Sequence, residues 1–337
     1  MRLRRLTLAS FPGALALVAC AGGEVEAPAD VPFACLAPPA LIQPLSFEGA
    51  CPGDPGFPSV LEVGGRDVFI RLPSNRVCHQ ALSVTEAGNV WILGGAFLFT
   101  DDEKGVISIS ETSGTSFIEG VSIDVAGKAA DAIRVYRHTG RLVVQNTFAK
   151  RISGEPRGTH GDLVHAQGLG PLQELVLQNV TGYTGYQGLF TPYRPDSGHG
   201  TRALRLERVN IAYDATLNRN AGAGKPLMLL FLGDAQDPRD QPPDRGTSLS
   251  SVYVDASYWN QAHFRSIYPR PKTLFGRCVS FDAAHGIAGS VCEGPPPEGD
   301  FAPEALVGRT YDRARFCGAG VGARSGAGAA PAGSAWR

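Results

Sequence analysis

The stretch Leu142-Val143-Val144-Gln145-Asn146 comes back, almost letter for letter, as Leu175-Val176-Leu177-Gln178-Asn179. Each copy is followed by a turn-rich gap and a second short apolar run: Asp162-Leu163-Val164-His165-Ala166 after the first, Gln187-Gly188-Leu189-Phe190-Thr191 after the second. Self-similarity at a regular spacing is the signature of a repeat architecture. Sliding the same template outward gives further alternating apolar segments opening at Val68, Ile92, Ile118, Leu204 and Leu249. Subtracting residue numbers across the whole series gives separations of 24, 26, 24, 33, 29 and 45 residues. The segments are rich in Val, Ile, Leu, Phe and Thr with period-two alternation, which is the strand signal. No gap between them sustains the i, i+3, i+4, i+7 apolar spacing of a helix. A β-sandwich also consists of short strands, but its turns fall every ~8–12 residues without a longer repeat.

Short strands, one circuit of chain per repeat and no helical crossovers predict an all-β parallel solenoid, in which a coil buries its inward side chains only against its neighbours. This register places Val144, Leu177 and Leu206 in one interior row. It also brings Asn146 and Asn179 together, where equivalent amides of stacked strands can form a hydrogen-bonded ladder. The run from about Asp67 to Ser266 resembles a right-handed parallel β-helix of the pectate-lyase-like superfamily, a resemblance carried by the repeat pattern and not by a catalytic motif.

The ends read differently. Met1-Arg2-Leu3-Arg4-Arg5 followed by the apolar Leu6–Val18 has the layout of an export signal, too short to span a membrane. It closes on Leu17-Val18-Ala19-Cys20, which resembles the bacterial lipobox and makes Cys20 the expected lipidation site. The expected organisation is a lipoprotein signal over 1–19, a tether over 20–32, a cysteine-bearing cap over 33–66, the β-helix over 67–268, a second cysteine-bearing cap over 269–317 and a disordered tail over 318–337. The location that follows is the bacterial cell envelope, with the lipid as the sole membrane contact. Six further cysteines, Cys35, Cys51, Cys78, Cys278, Cys292 and Cys317, form an even set in an oxidising compartment. They flank the repeats, where open coil ends need cover. The local pairs are Cys35–Cys51 and Cys278–Cys292, which leaves Cys78 for Cys317.

With 31 Lys and Arg against 32 Asp and Glu, bulk charge does not favour nucleic acid, and the expected state is a monomer. No Gly-x-Ser-x-Gly, phosphate-binding loop or His-Glu-x-x-His is present. Chemistry must therefore be sought in clustering, and the densest cluster lies in the two central coils. Lys150, Arg151, Arg157, His160, Asp162, His165 and Gln167 are followed one coil later by Tyr183, Tyr186, Gln187, Tyr193 and Arg194. Alternation directs Val164 and Ala166 inward and Leu163, His165 and Gln167 outward, with Gln187 or a neighbour beside them. A polar stripe across coils is where β-helix enzymes hold an extended sugar chain, so the expected partner is an acidic polysaccharide cleaved by β-elimination. That reaction needs a group to neutralise the uronate, a base and an acid. Arg157 or Arg151 suits the first role, His160 or His165 the second, and Tyr186 or Tyr183 the third.

Two alternatives stand beside this reading. Gly198-His199-Gly200 matches one motif of polygalacturonase-like hydrolases, but the acidic motifs are missing: Asn146-Thr147 runs into Phe148. Alternatively, a non-catalytic surface protein could bind sugars by stacking them on Tyr183, Tyr186, Tyr193, Tyr253, Tyr258 and Trp259. Calcium is left open, since Asp101-Asp102-Glu103 reads as an exposed turn and no motif supports an ion.

Overall fold

The structure, a computed structural model, describes residues 34–102, 105–154, 160–166, 172–191, 193–194, 199–217, 228–232, 246–255, 267–269, 273–275, 277–282 and 285–317. Side chains at 193–194, 199–200, 255 and 273–275 are not described. The expected signal, tether and tail, together with Cys20, Arg157, Gln167, Tyr258 and Trp259, lie outside the described residues.

Two long sheets, parallel over most of their length, take strands in alternation from the chain. One sheet runs through Leu45–Glu48, Val68–Arg71, Val90–Leu93, Thr115–Glu119, Arg141–Ile152, Leu172–Thr184, His199–Tyr213, Gly246–Asp255 and Ile287–Glu293. The other collects Val60–Glu62, Leu82–Thr85, Ile107–Ser110, Ile133–Tyr136, Val164–Ala166, Gln187–Phe190, Met228–Phe231 and Ile267–Tyr268. The order is compatible with a β-helix-like fold. Within the first sheet Phe47, Ile70, Ile92, Ile118, Val144, Leu177, Leu206 and Leu249 are successive register partners, so the expected row of Val144, Leu177 and Leu206 is present. Those three side chains are fully buried. A short series, Val77–Cys78, Ala96–Leu98 and Ser122–Asp124, pairs onward to the far half of Arg141–Ile152 and forms a third face.

The corner between the first sheet and the third face is sharp because one residue per circuit is left-handed. Asn146 (φ 51°), Asn179 (φ 56°), Arg208 (φ 55°) and Ser251 (φ 52°) occupy equivalent positions, as does Gly120 (φ 69°) in the preceding circuit. Asparagine tolerates this region better than most residues. Here it also bonds along the column: Asn179 Nδ2 donates to Asn146 Oδ1 at 2.8 Å. At Gly120 a side chain is excluded twice over, by the backbone angle and by the Tyr311 ring packed directly against the site.

That tyrosine belongs to a segment the sequence did not announce. After Glu293 the chain runs back across the circuits as a strap. Asp300 accepts from Asn210 Nδ2 and Tyr183 Oη, and Ala302 N donates to Thr181 Oγ1. Gly308 N donates to Gly120 O, and Tyr311 Oη donates to Glu119 Oε1 at 2.7 Å. Arg313 reaches the carbonyl of Leu36, and Cys317 bonds Cys35. Burial pushes the Glu119 carboxyl above its ordinary range, and Tyr311, Gln145 and Arg313 oppose this. Two of the expected disulfides are therefore corrected. The bonds are Cys35–Cys317, Cys51–Cys78 and Cys278–Cys292, of which only the last was expected. The local pairing Cys35–Cys51 fails because residues 34–36 lie on the outside of the first sheet, where Leu36 packs on Phe117, Val143 and Val176. Cys51 and Cys78 meet instead as near neighbours of adjacent circuits. Cys35–Cys317 thus fastens the segment before the first strand to the end of the strap.

Candidate functional site

The second sheet's outer face carries the cluster that the sequence singled out. His165 stands in register between Arg134 on one side and Phe190 on the other. The column continues through Phe231 to Tyr268. Ring centroids are 5.0 Å apart for His165–Phe190, 4.9 Å for Phe190–Phe231 and 5.4 Å for Phe231–Tyr268. A cation, an imidazole and three aromatic rings thus line up on successive strands.

Behind the column lies a row of acids at the strand entrances. Asp131 Oδ2 lies 2.6 Å from Arg134 Nε, and Asp162 Oδ2 lies 2.6 Å from His165 Nδ1. The same three-residue step therefore pairs acid with base on two adjacent circuits. Both carboxylate side chains are fully buried, whereas Arg134 retains 34% and His165 15% of its side-chain exposure. Asp131 Oδ1 also accepts the backbone N–H of Asp162 at 3.0 Å, tying the circuits together. Asp162 breaks this pattern: among the described residues its Oδ1 has no hydrogen-bond partner, and neither has Gln187 Oε1 on the next circuit. Burial is the main force on Asp162 and pushes its pKa up to about 7; nearby Asp131 adds to the rise, and His165 and Arg134 oppose it. The Asp162–His165 pair accordingly holds a proton towards neutrality.

The remaining expected site residues are placed as follows. Tyr186 is near the acids, with its ring 5.4 Å from that of His160, but it is only 1% exposed and its hydroxyl has no partner among the described residues. Burial and the Asp162 charge raise its pKa to about 12. A general acid must reach the leaving oxygen, so the structure does not support that role for Tyr186. Gln187 is buried too, and the residue beside His165 is Phe190. Leu163, expected outside, is fully buried because it precedes the strand, where the chain is still turning. Tyr183 belongs to another face altogether, donating to Asp300 of the strap. Tyr253 likewise packs on Phe301 of the strap. Tyr193 and Arg194 pair antiparallel with Gly200 and His199 at the edge of the first sheet. Arg151 is committed to Asp124 through two bonds of 2.6 Å. The sequence reading missed Arg134 and Asp131; the Asp-x-x-Arg and Asp-x-x-His spacing one circuit apart was the available signal.

A metal could draw one donor each from Asp131, Asp162 and His165, whose atoms lie within 4.8 Å of one another. Calcium takes six to eight oxygens, and here Arg134 already neutralises one of the two carboxylates. The described residues do not form a calcium cage. No family description, curated protein or solved structure matches this chain.

The proton on Asp162 gives a pH test. Its folded pKa lies above the unfolded value of 3.8, so between about 4 and about 7 the native state binds the extra proton and stability falls as pH rises. Buried His138 has the opposite sign, its pKa being lowered to about 4, so that it adds stability as pH climbs from about 4 to 6.5. Comparing wild type with Asp162→Asn by urea denaturation cancels the histidine. The wild-type advantage over the variant is expected to shrink from pH 4 to pH 7; a constant difference would show that Asp162 ionises normally.

Proposed function

We propose that this protein is an exported right-handed parallel β-helix of the pectate-lyase-like kind, anchored through Cys20, that cleaves an extended acidic polysaccharide by β-elimination. The observation that carries this reading is the 2.6 Å contact between His165 Nδ1 and Asp162, set in register between Arg134 and the aromatic column. Once Asp162 is ionised, above about pH 7, Nδ1 donates to its carboxylate and Nε2 becomes the basic nitrogen. Arg134, one strand away, has guanidinium donors beyond the Nε that holds Asp131, and these suit a uronate carboxylate. The C5–H bond breaks with its proton passing to Nε2, the C4–C5 double bond forms and the C4–O bond breaks. The imidazolium then returns the proton to the departing oxygen. Phe190 and Tyr268, each partly exposed, extend the site along the strand stack on either side of the buried Phe231 ring. A hydrolase would need two carboxylates flanking the bond, whereas Asp131 and Asp162 are both buried.

The second reading, a non-catalytic sugar-binding protein, is favoured by the aromatic column itself. Incubating the chain from Ala21 onward with a panel of uronate-containing polysaccharides separates the two. Growth of the unsaturated product's ultraviolet absorbance is the expected result. Binding without any such product would favour the second reading and overturn the first.

A further inference from the structure

A second groove lies on the third face, between the sheet and the strap. One part, of about 390 Å³, is lined by Phe148, Lys150, Arg151, Tyr183, Asp300 and Glu304, with Asp214 at its margin. Arg151 and Glu304 also line an adjoining hollow of about 320 Å³ that continues past Asp124 and Leu98. Leu98, Asp124 and Lys150 are register partners on three successive strands. At ~4.8 Å per strand, the floor from Leu98 through Tyr183 to Asp214 runs for roughly 20 Å. It is elongated, and a side chain meets it on every circuit.

Three properties define what fits. The floor strand Ser122–Asp124 is paired on both sides, so no free strand edge is offered to an extended peptide. Two of the three lining cations are already engaged: Lys150 Nζ lies 2.6 Å from Glu304, and Arg151 forks onto Asp124. The lining carries Asp124, Asp214, Asp300 and Glu304 against Lys150, Arg151 and Arg309, an excess of one negative charge that opposes a polyanion. Ion pairs presenting donors and acceptors together, next to the half-buried Tyr183 ring that packs on the buried Phe148, suit hydroxyl groups on an uncharged ring. We infer that this groove binds a neutral oligosaccharide chain, at a site separate from the His165 column.

This inference is independent of the chemistry proposed for His165. Calorimetric titration with neutral β-linked and α-linked hexasaccharides, and with an oligogalacturonate of equal length, tests it. At least one neutral chain is expected to bind. Tyr183→Ala is expected to weaken that binding about 10-fold, the scale of a lost stacking or charge-assisted contact. Tyr183 also holds the strap, so Lys150→Met, at a side chain 30% exposed, is the second variant and carries the same expectation. Lys150→Met should leave any turnover of acidic polymer at its wild-type rate, whereas His165→Ala should leave neutral-chain binding unchanged. The inference is overturned if no neutral chain binds, if only the oligogalacturonate or a peptide competes for the groove, or if a folded Lys150→Met protein binds the neutral chain as wild type does.

Discussion

Leu177→Asp is expected to abolish the cooperative melt. Leu177 is fully buried and sits in register between Val144 and Leu206, at the middle of a row running from Phe47 to Leu249. Truncating a leucine in such a site costs ~2–5 kcal/mol from lost burial and the cavity left behind. Aspartate adds the desolvation of a charge with no partner among the apolar neighbours. Together these approach the whole margin of an ordinary domain, ~5–15 kcal/mol. The strand cannot escape by slipping one residue, because that would turn every inward side chain of Leu172–Thr184 to the other face. Gln173→Asp, at an exposed position of the same strand, should change stability by no more than ~0.5 kcal/mol. Circular dichroism on heating distinguishes them: a Leu177→Asp melt within a few degrees of wild type would disprove the register.

That register was legible because apolar side chains recur at one inward position on strand after strand, and chemistry explains where the reading slipped. The row beginning at Val68 passes through Val90, Ser116, Leu142, Leu175, Leu204 and Thr247. Ser116 and Thr247 are buried yet polar, so the apolar signal in those circuits starts two residues late, at Ile118 and Leu249. Asn146 and Asn179 were readable as a ladder, but the reason they stand there, a left-handed corner, shows only in the backbone. The strap was not legible at all. Residues 294–317 have no period, and their partners range over successive strands from Gly95 to Tyr253, so sequence proximity pointed to the wrong disulfides. The same limit applied to Tyr183. Its position in the sequence cluster is a fact of chain order, whereas the left-handed corner at Asn179 has already turned that part of the strand onto the third face.

The candidate cluster was legible in its composition and only partly in its geometry. Asp162 and His165, three residues apart, were in the cluster without being read as a pair; they meet because the turn before Val164 brings Asp162 back under the ring of His165. Tyr186 was read as the acid of the elimination because it falls in the cluster of the two central coils. Close packing of its ring against Gly154 instead draws it inside. Arg134 was invisible until register was known, since it lies a full circuit earlier and becomes a neighbour of His165 only through strand pairing.

His165→Ala is expected to lower turnover of the cleaved polysaccharide by ~10²-fold or more, the usual contribution of a positioned acid–base group. KM should change far less, since Arg134 and the aromatic column remain in place to hold the chain. Asp162→Asn should act through the ring: an amide can still contact Nδ1 but does not stabilise the imidazolium, so the rate should fall and the basic nitrogen titrate at lower pH. Arg134→Gln removes the group proposed to meet the uronate and should raise KM as well as lower kcat, a pattern distinct from that of either partner. His79→Ala, at an exposed histidine outside the column, is the control and should be silent. The decisive comparison is His165→Ala against His79→Ala at several pH values on one substrate. Equal, wild-type-like rates and unchanged pH profiles in both would remove His165 from the chemistry and leave the column as a binding face, on which Phe190→Ala would then be the costly substitution.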